Sequence, residues 1–188
     1  GTTTTSVAVS QDAAVTAVAG TTATGKIGVV QGGVTIADGA ANTTGTDTLT
    51  TATIENFGAT TITSTVLNTL NVTADAKNAS GAVTIDKSGA GLETSATTLT
   101  VKGGGKMGAI DGTQADVYTT VAFNADTALT VADVNFAKAT AISASGAGVT
   151  TITAHTDDGL VTSYTSTGGG LKVSAEIGTA VAFTGSAG

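Results

Sequence analysis

Leu129, Val149 and Leu171 stand 20 and 22 residues apart, and each heads a short run of apolar residues interleaved with Thr or Lys: Leu-Thr-Val, Val-Thr-Thr-Ile and Leu-Lys-Val. Self-similarity at that period is the mark of a coil that stacks on copies of itself. The same rhythm runs back through Leu99-Thr-Val101, Val83-Thr-Ile85, Leu70-Asn-Val72 and Thr60-Thr-Ile-Thr63, with Gly, Ser and Asp in the turns between. The fold class expected is all-β: a parallel β-solenoid of the β-helix or β-roll kind, built of short strands. If the whole chain coiled so, it would make about nine coils, a rod on the order of 45 Å at ~4.8 Å per coil. An antiparallel β-sandwich also gives short strands every ~8–12 residues, and it stands as the alternative.

Composition narrows this further. The chain has four Phe, two Tyr and no Trp. Large aromatics bury the most area per residue, so a round core is poorly supplied. A thin core drawn out along an axis needs only burial between neighbouring coils. Thr is abundant and β-branched, which favours strands. A Gly- and Thr-rich chain is otherwise a candidate for disorder, but a mean hydropathy of +0.30 argues for folding.

The net charge is −7, with seven Lys and no Arg. Phosphate backbones need clustered cations, so nucleic acid is not an expected partner. There is no Cys, hence no disulfide framework or Cys metal site. No apolar run approaches the ~18 residues of a membrane span. No signal peptide is visible, and the chain opens at Gly1. We expect a processed product or a piece of something longer, whose other parts held the export signal.

Two regions are expected: residues 1–47, an N-terminal β segment and loop, and residues 48–188, the repetitive solenoid. In the first, Ala13–Ala19, Lys26–Val30 and Val34–Ala37 read as strands, and Ala37–Asp47 as a loop. In the second, the strands expected are Thr53–Phe57, Thr60–Thr63, Thr69–Thr73, Ala82–Asp86, Thr97–Lys102, Val117–Phe123, Leu129–Phe136, Thr140–Ser143, Gly148–Ala154, Leu160–Thr165 and Leu171–Ala175. Gly103–Gly105 and Asp111–Asp116 read as turns. Gln11–Ala19 and Ala132–Ala139 carry weak helical content without caps.

Residues able to carry chemistry are few. His155 is the one histidine, beside Thr156-Asp157-Asp158. A Ser-His-Asp triad would have to use it, and the plainer reading is a turn histidine. A carboxylate pair for glycosidic cleavage lacks the aromatics that stack on sugars. Gly103-Gly-Gly105 and Gly168-Gly-Gly170 do not match a phosphate loop. The chain is therefore read as no enzyme. Met107, Tyr118 and Tyr164 read as core or coil-cap residues rather than a ligand pocket. Thr-x-Thr arrays on a solenoid can order water, but here they are irregularly spaced along the sequence. Asn42, Asn71 and Asn78 lie in N-x-[ST] sequons, and Thr2–Thr5 is a run open to O-linked sugar. Asp47, Asp111, Asp116, Asp157 and Asp158 are acids in expected turns. Calcium takes six to eight oxygens, mixing carboxylates with the carbonyls of Gly-rich turns. The plainer reading is solvated turn acids.

Gly45-Thr-Asp-Thr-Leu49, Ile54-Glu-Asn-Phe57 and Leu70-Asn-Val72 resemble a recurring pattern in bacterial surface-layer (S-layer) proteins of the type I-secreted, RTX-related kind. Thr151–Gly185, with Ala154-His-Thr156 and the Ala-Val-Ala-Phe-Thr-Gly ending, is similar to their C-terminal coils. The resemblance implies a calcium-stabilised β-solenoid that assembles with itself into a lattice on the extracellular face of the cell. It also implies cell-surface polysaccharide as a possible further partner. The Gly-Gly-x-Gly-x-Asp nonapeptide that cages calcium in such proteins is missing; Asp47 is the residue at the matching exit position. The other reading is a stalk or passenger module of an adhesin or biofilm-matrix protein.

Overall fold

The structure, a computed structural model, describes residues 4–12, 31–38, 47–76, 79–86, 96–113, 118–155, 160–174 and 182–185. The expected strands Ala13–Ala19 and Lys26–Val30, and the residues Asn42, Asn78, Asp116, Asp157 and Asp158, lie outside them. The described residues are all-β, with no α-helix. The weak helical content of Ala132–Ala139 is overridden: Ala132 through Asn135 close a strand.

Among the described residues fourteen strands form: β1 (Ser6–Ser10), β2 (Val34–Ala37), β3 (Thr51–Glu55), β4 (Thr60–Thr63), β5 (Thr69–Thr73), β6 (Val83–Asp86), β7 (Thr98–Met107), β8 (Ile110–Thr113), β9 (Thr120–Asn135), β10 (Ala141–Ser145), β11 (Thr150–His155), β12 (Ser163–Ser166), β13 (Leu171–Val173) and β14 (Ala182–Gly185). Every strand pairing is parallel, so the sandwich alternative is set aside and the solenoid stands. Three ladders run along it. One passes through β1, β3, β5, β7, the first half of β9, β10, β12 and β14. A second passes through β2, β4, β6, β8 and the end of β9. The third joins the second half of β7 to β9, β11 and β13. About five successive coils close through more than one ladder. The first ladder counts eight rungs, which spans roughly 35 Å at ~4.8 Å per rung.

The core is a set of inward columns. Leu99, Val121, Ile142 and Tyr164 stack in one, Leu70, Val101, Phe123 and Ala144 in another, and Ile36, Ile62 and Ile85 in a third. All of these side chains are buried. Each coil adds one residue to each column, so small residues serve as well as large ones where the columns face each other. Tyr118 and Phe136 are buried in the core edge to face, with ring centroids 5.5 Å apart. Tyr118 donates its hydroxyl to the Leu67 carbonyl across 51 residues of sequence.

Four local readings are corrected. Gly103–Gly105 is not a turn between strands; it lies inside β7, where the strand bends from the first ladder into the third. Gly103 and Gly105 have φ of 118° and 97°, and a Cβ there would meet the carbonyl oxygens of Val72 and Ala74 at 1.8 and 1.9 Å. Only a residue without Cβ makes that bend. Asp111 likewise lies within β8 rather than in a turn. The true repeat partner of Leu129 and Leu171 is Thr150, which pairs with both; Val149 points out and is 44% exposed. Leu160 is exposed ahead of β12, which begins at Ser163.

Candidate functional site on the solenoid surface

The outward residues of the first ladder form straight columns. Ser6, Thr51, Thr69, Thr100, Ala122, Ser143, Thr165 and Thr184 occupy one. Beside it run Ala8, Thr53, Asn71, Lys102, Asn124 and Ser145. Loops of unequal length make the Thr spacing irregular in sequence, yet the parallel register cancels that irregularity. The result is a face of mostly short side chains in register, with Lys102 the long exception, tied along the axis in places: Asn71 Nδ2 donates to Thr53 Oγ1 at 3.0 Å. Asn71 is the one sequon asparagine among the described residues, and its amide is occupied in this bond.

A second line of hydroxyls sits where the strands begin. Thr119, Thr140 and Thr162 each donate both N–H, at 2.9 Å, and hydroxyl, at 3.3 Å, to the carbonyl of the Thr one coil before. Thr97, Thr119, Thr140 and Thr162 are spaced by 22, 21 and 22 residues. That Thr series carried the period of the coil, and reading the apolar residues alone missed it.

Asp47 is 7% exposed, and its carboxylate accepts the Thr65 N–H at 2.6 Å. Asp38, within the expected loop Ala37–Asp47, accepts the N–H groups of Thr48 and Leu49 at 2.7 Å each. These two acids anchor the entry to β3 through backbone donors. Asp111 stands in the second ladder between Thr84 and Asn135. Burial raises its carboxyl above the usual range; a hydrogen bond from Asn135 pulls the other way, and the charge of Asp133 adds to the rise. Thr65 follows β4 and Asp111 lies on β8, two rungs on, roughly 10 Å along the axis. An oxygen shell around one calcium is only about 5 Å across. Among the described residues no group of three or more His, Asp or Glu is placed to hold a metal ion. What remains near Asp111 is an acidic rim of separate carboxylates.

His155 is not a turn residue. It ends β11, is 5% exposed, and its Nδ1 lies 2.9 Å from the Tyr164 hydroxyl. The pair ties β11 to β12. Tyr164 in turn stacks on Phe183, with centroids 5.3 Å apart and planes within 10°. Phe183 is 62% exposed, the most exposed of the large apolar side chains described. It lines an open recess of about 440 Å³ together with Leu171, Lys172 and Val173 at the C-terminal end of the coil stack. Met107 and Tyr118 are buried, as the sequence led us to expect. No helix among the described residues is long and apolar enough to cross a membrane. No protein-family model, curated protein sequence or solved structure matches this chain.

Proposed function

We propose that this chain is a structural segment of a secreted bacterial surface layer, which assembles with copies of itself at the cell surface with the help of calcium. The observation that supports the reading is the run of parallel ladders with in-register outward faces. Coil-to-coil hydrogen bonds and continuous inward columns make a stiff body, and outward columns of mostly short Ser, Thr, Asn and Ala side chains let two such bodies lie close. The resemblance of Gly45-Thr-Asp-Thr-Leu49, Ile54–Phe57 and Leu70–Val72 to surface-layer sequence points the same way. The acids Asp86, Asp111 and Asp133, on neighbouring rungs, give calcium a surface to bridge between copies rather than a cage within one. A rod of this kind also suits the stalk of an adhesin, which would bind a host or matrix ligand instead of itself.

Calcium titration followed by light scattering and negative-stain imaging, with EDTA as control, separates the two. Sheets or filaments that form with calcium and disperse with EDTA are the result expected. A monomer indifferent to calcium at all concentrations overturns the lattice reading and favours the stalk.

A further inference from the structure

The first ladder begins at β1 and ends at β14, and among the described residues each of these strands pairs on one side only. In a parallel ladder, successive residues direct their N–H and C=O groups to opposite neighbours. Gln11 N–H donates to Glu55 and Thr5 C=O accepts from Thr51, so the odd residues of β1 face β3. Ser6, Ala8 and Ser10 therefore point their backbone groups away from β3, toward the side on which no described strand pairs. Ala182 N–H donates to Thr162, so Ala182 and Thr184 face β12 while Phe183 and Gly185 point away. The side chains follow the same parity. Val7 and Val9 lie on the inward side of β1, half-buried, and Phe183 continues the inward column of Ile142 and Tyr164.

We propose that β14 of one copy pairs in parallel with β1 of the next, with Ala8 opposite Thr184, so that the ladder runs on from molecule to molecule. This rests on the self-assembly reading above and names the joint. At that register Val7 stacks on the open face of Phe183, and Val9 meets Gly185, which leaves room for it. Ala8 N–H reaches the Phe183 carbonyl and Gly185 N–H reaches the Ala8 carbonyl, the same pattern that joins β12 to β14. The described charges at the two ends are opposite in sign, Asp12 just past β1 and Lys172 on β13. The contact is heterologous, the two surfaces being different, so it does not close on itself and builds a filament.

Ala8→Pro and Gly185→Pro test it on the full chain. Each removes one outward N–H and leaves the bonds to β3 or β12 in place, and edge strands tolerate Pro. Circular dichroism and the urea midpoint verify that each variant folds. In sedimentation velocity and negative stain, the wild type is expected to form end-to-end filaments that grow with protein concentration. Each variant alone is expected to stay at least tenfold less assembled. An equimolar mixture is expected to give heterodimers and no longer species, because each variant retains one good end. Filaments undiminished in both folded variants overturn the joint while leaving self-assembly standing, through the outward faces instead. A wild type that does not assemble under any condition overturns the self-assembly reading and the joint with it.

Discussion

At the scale of single residues, buried polar groups divide by whether they find a partner, and Thr150 and Tyr118 show the two outcomes. Thr150 sits in an inward column between Leu129 and Leu171, fully buried, and its hydroxyl finds no hydrogen-bond partner among the described residues. Thr150→Val keeps the β-branched shape and removes the stranded group. It is expected to stabilise the protein by about 1 kcal/mol in urea denaturation. Tyr118 is the opposite case, since its hydroxyl is bonded to the Leu67 carbonyl. Tyr118→Phe leaves that carbonyl unsatisfied and is expected to cost about 1–3 kcal/mol. Burial also raises the Tyr118 phenol well above its ordinary value of 10.0. The folded state thus holds the proton more tightly than the unfolded chain. Its contribution is fully present below about pH 10 and is lost as pH rises beyond that. Unfolding monitored from pH 8 to 12 is expected to show stability falling above about pH 10 in the wild type, with a shallower fall in Tyr118→Phe.

At the scale of elements, the bend in β7 shows how one strand serves two ladders. Its first half pairs with β5 and its second half runs beside the later part of β9, with the register shift between Gly103 and Gly105. Gly103→Ala places a Cβ 1.8 Å from the Val72 carbonyl oxygen at a φ of 118°. The loss expected is about 3 kcal/mol or more, because strain and collision add. A Gly→Ala change at Gly185, where a Cβ meets nothing within 4 Å, is the control expected to be near neutral. The strand positions were legible because apolar alternation marks them: Val34–Ala37, Thr60–Thr63 and Thr69–Thr73 stand as read. Gly103–Gly105 was not, because three glycines look the same whether a chain turns back or merely bends. Val149 was taken for Thr150 because hydrophobicity outweighed phase.

At the scale of the whole molecule, each coil touches mainly its two neighbours, so stability is close to a sum over coils. Residues 141–162 make one complete period, since Thr120 pairs with Ala141 and Ala141 with Ser163. Deleting them joins Thr140 to Ser163 in phase. The shortened chain is expected to fold with the same β-type circular dichroism and a urea m-value lower by roughly a tenth. Deleting residues 141–151, half a period, turns every later side chain out of phase and is expected to abolish the cooperative transition.

The class of fold was determined by the sequence alone. A recurrent ~20-residue spacing, β-branched residues and scarce aromatics leave few ways to bury apolar surface other than stacking coils. The acids of the surface were equally visible, but their roles were not. Asp47 and Asp111 look alike as turn acids in the chain. Only the tertiary structure buries Asp47 against the Thr65 N–H and sets Asp111 beside Asn135 on an open ladder. It likewise turned scattered threonines into columns and made His155 a buried partner of Tyr164. The reason is physical: loop length carries no information about register, and register alone decides which side chains share a face.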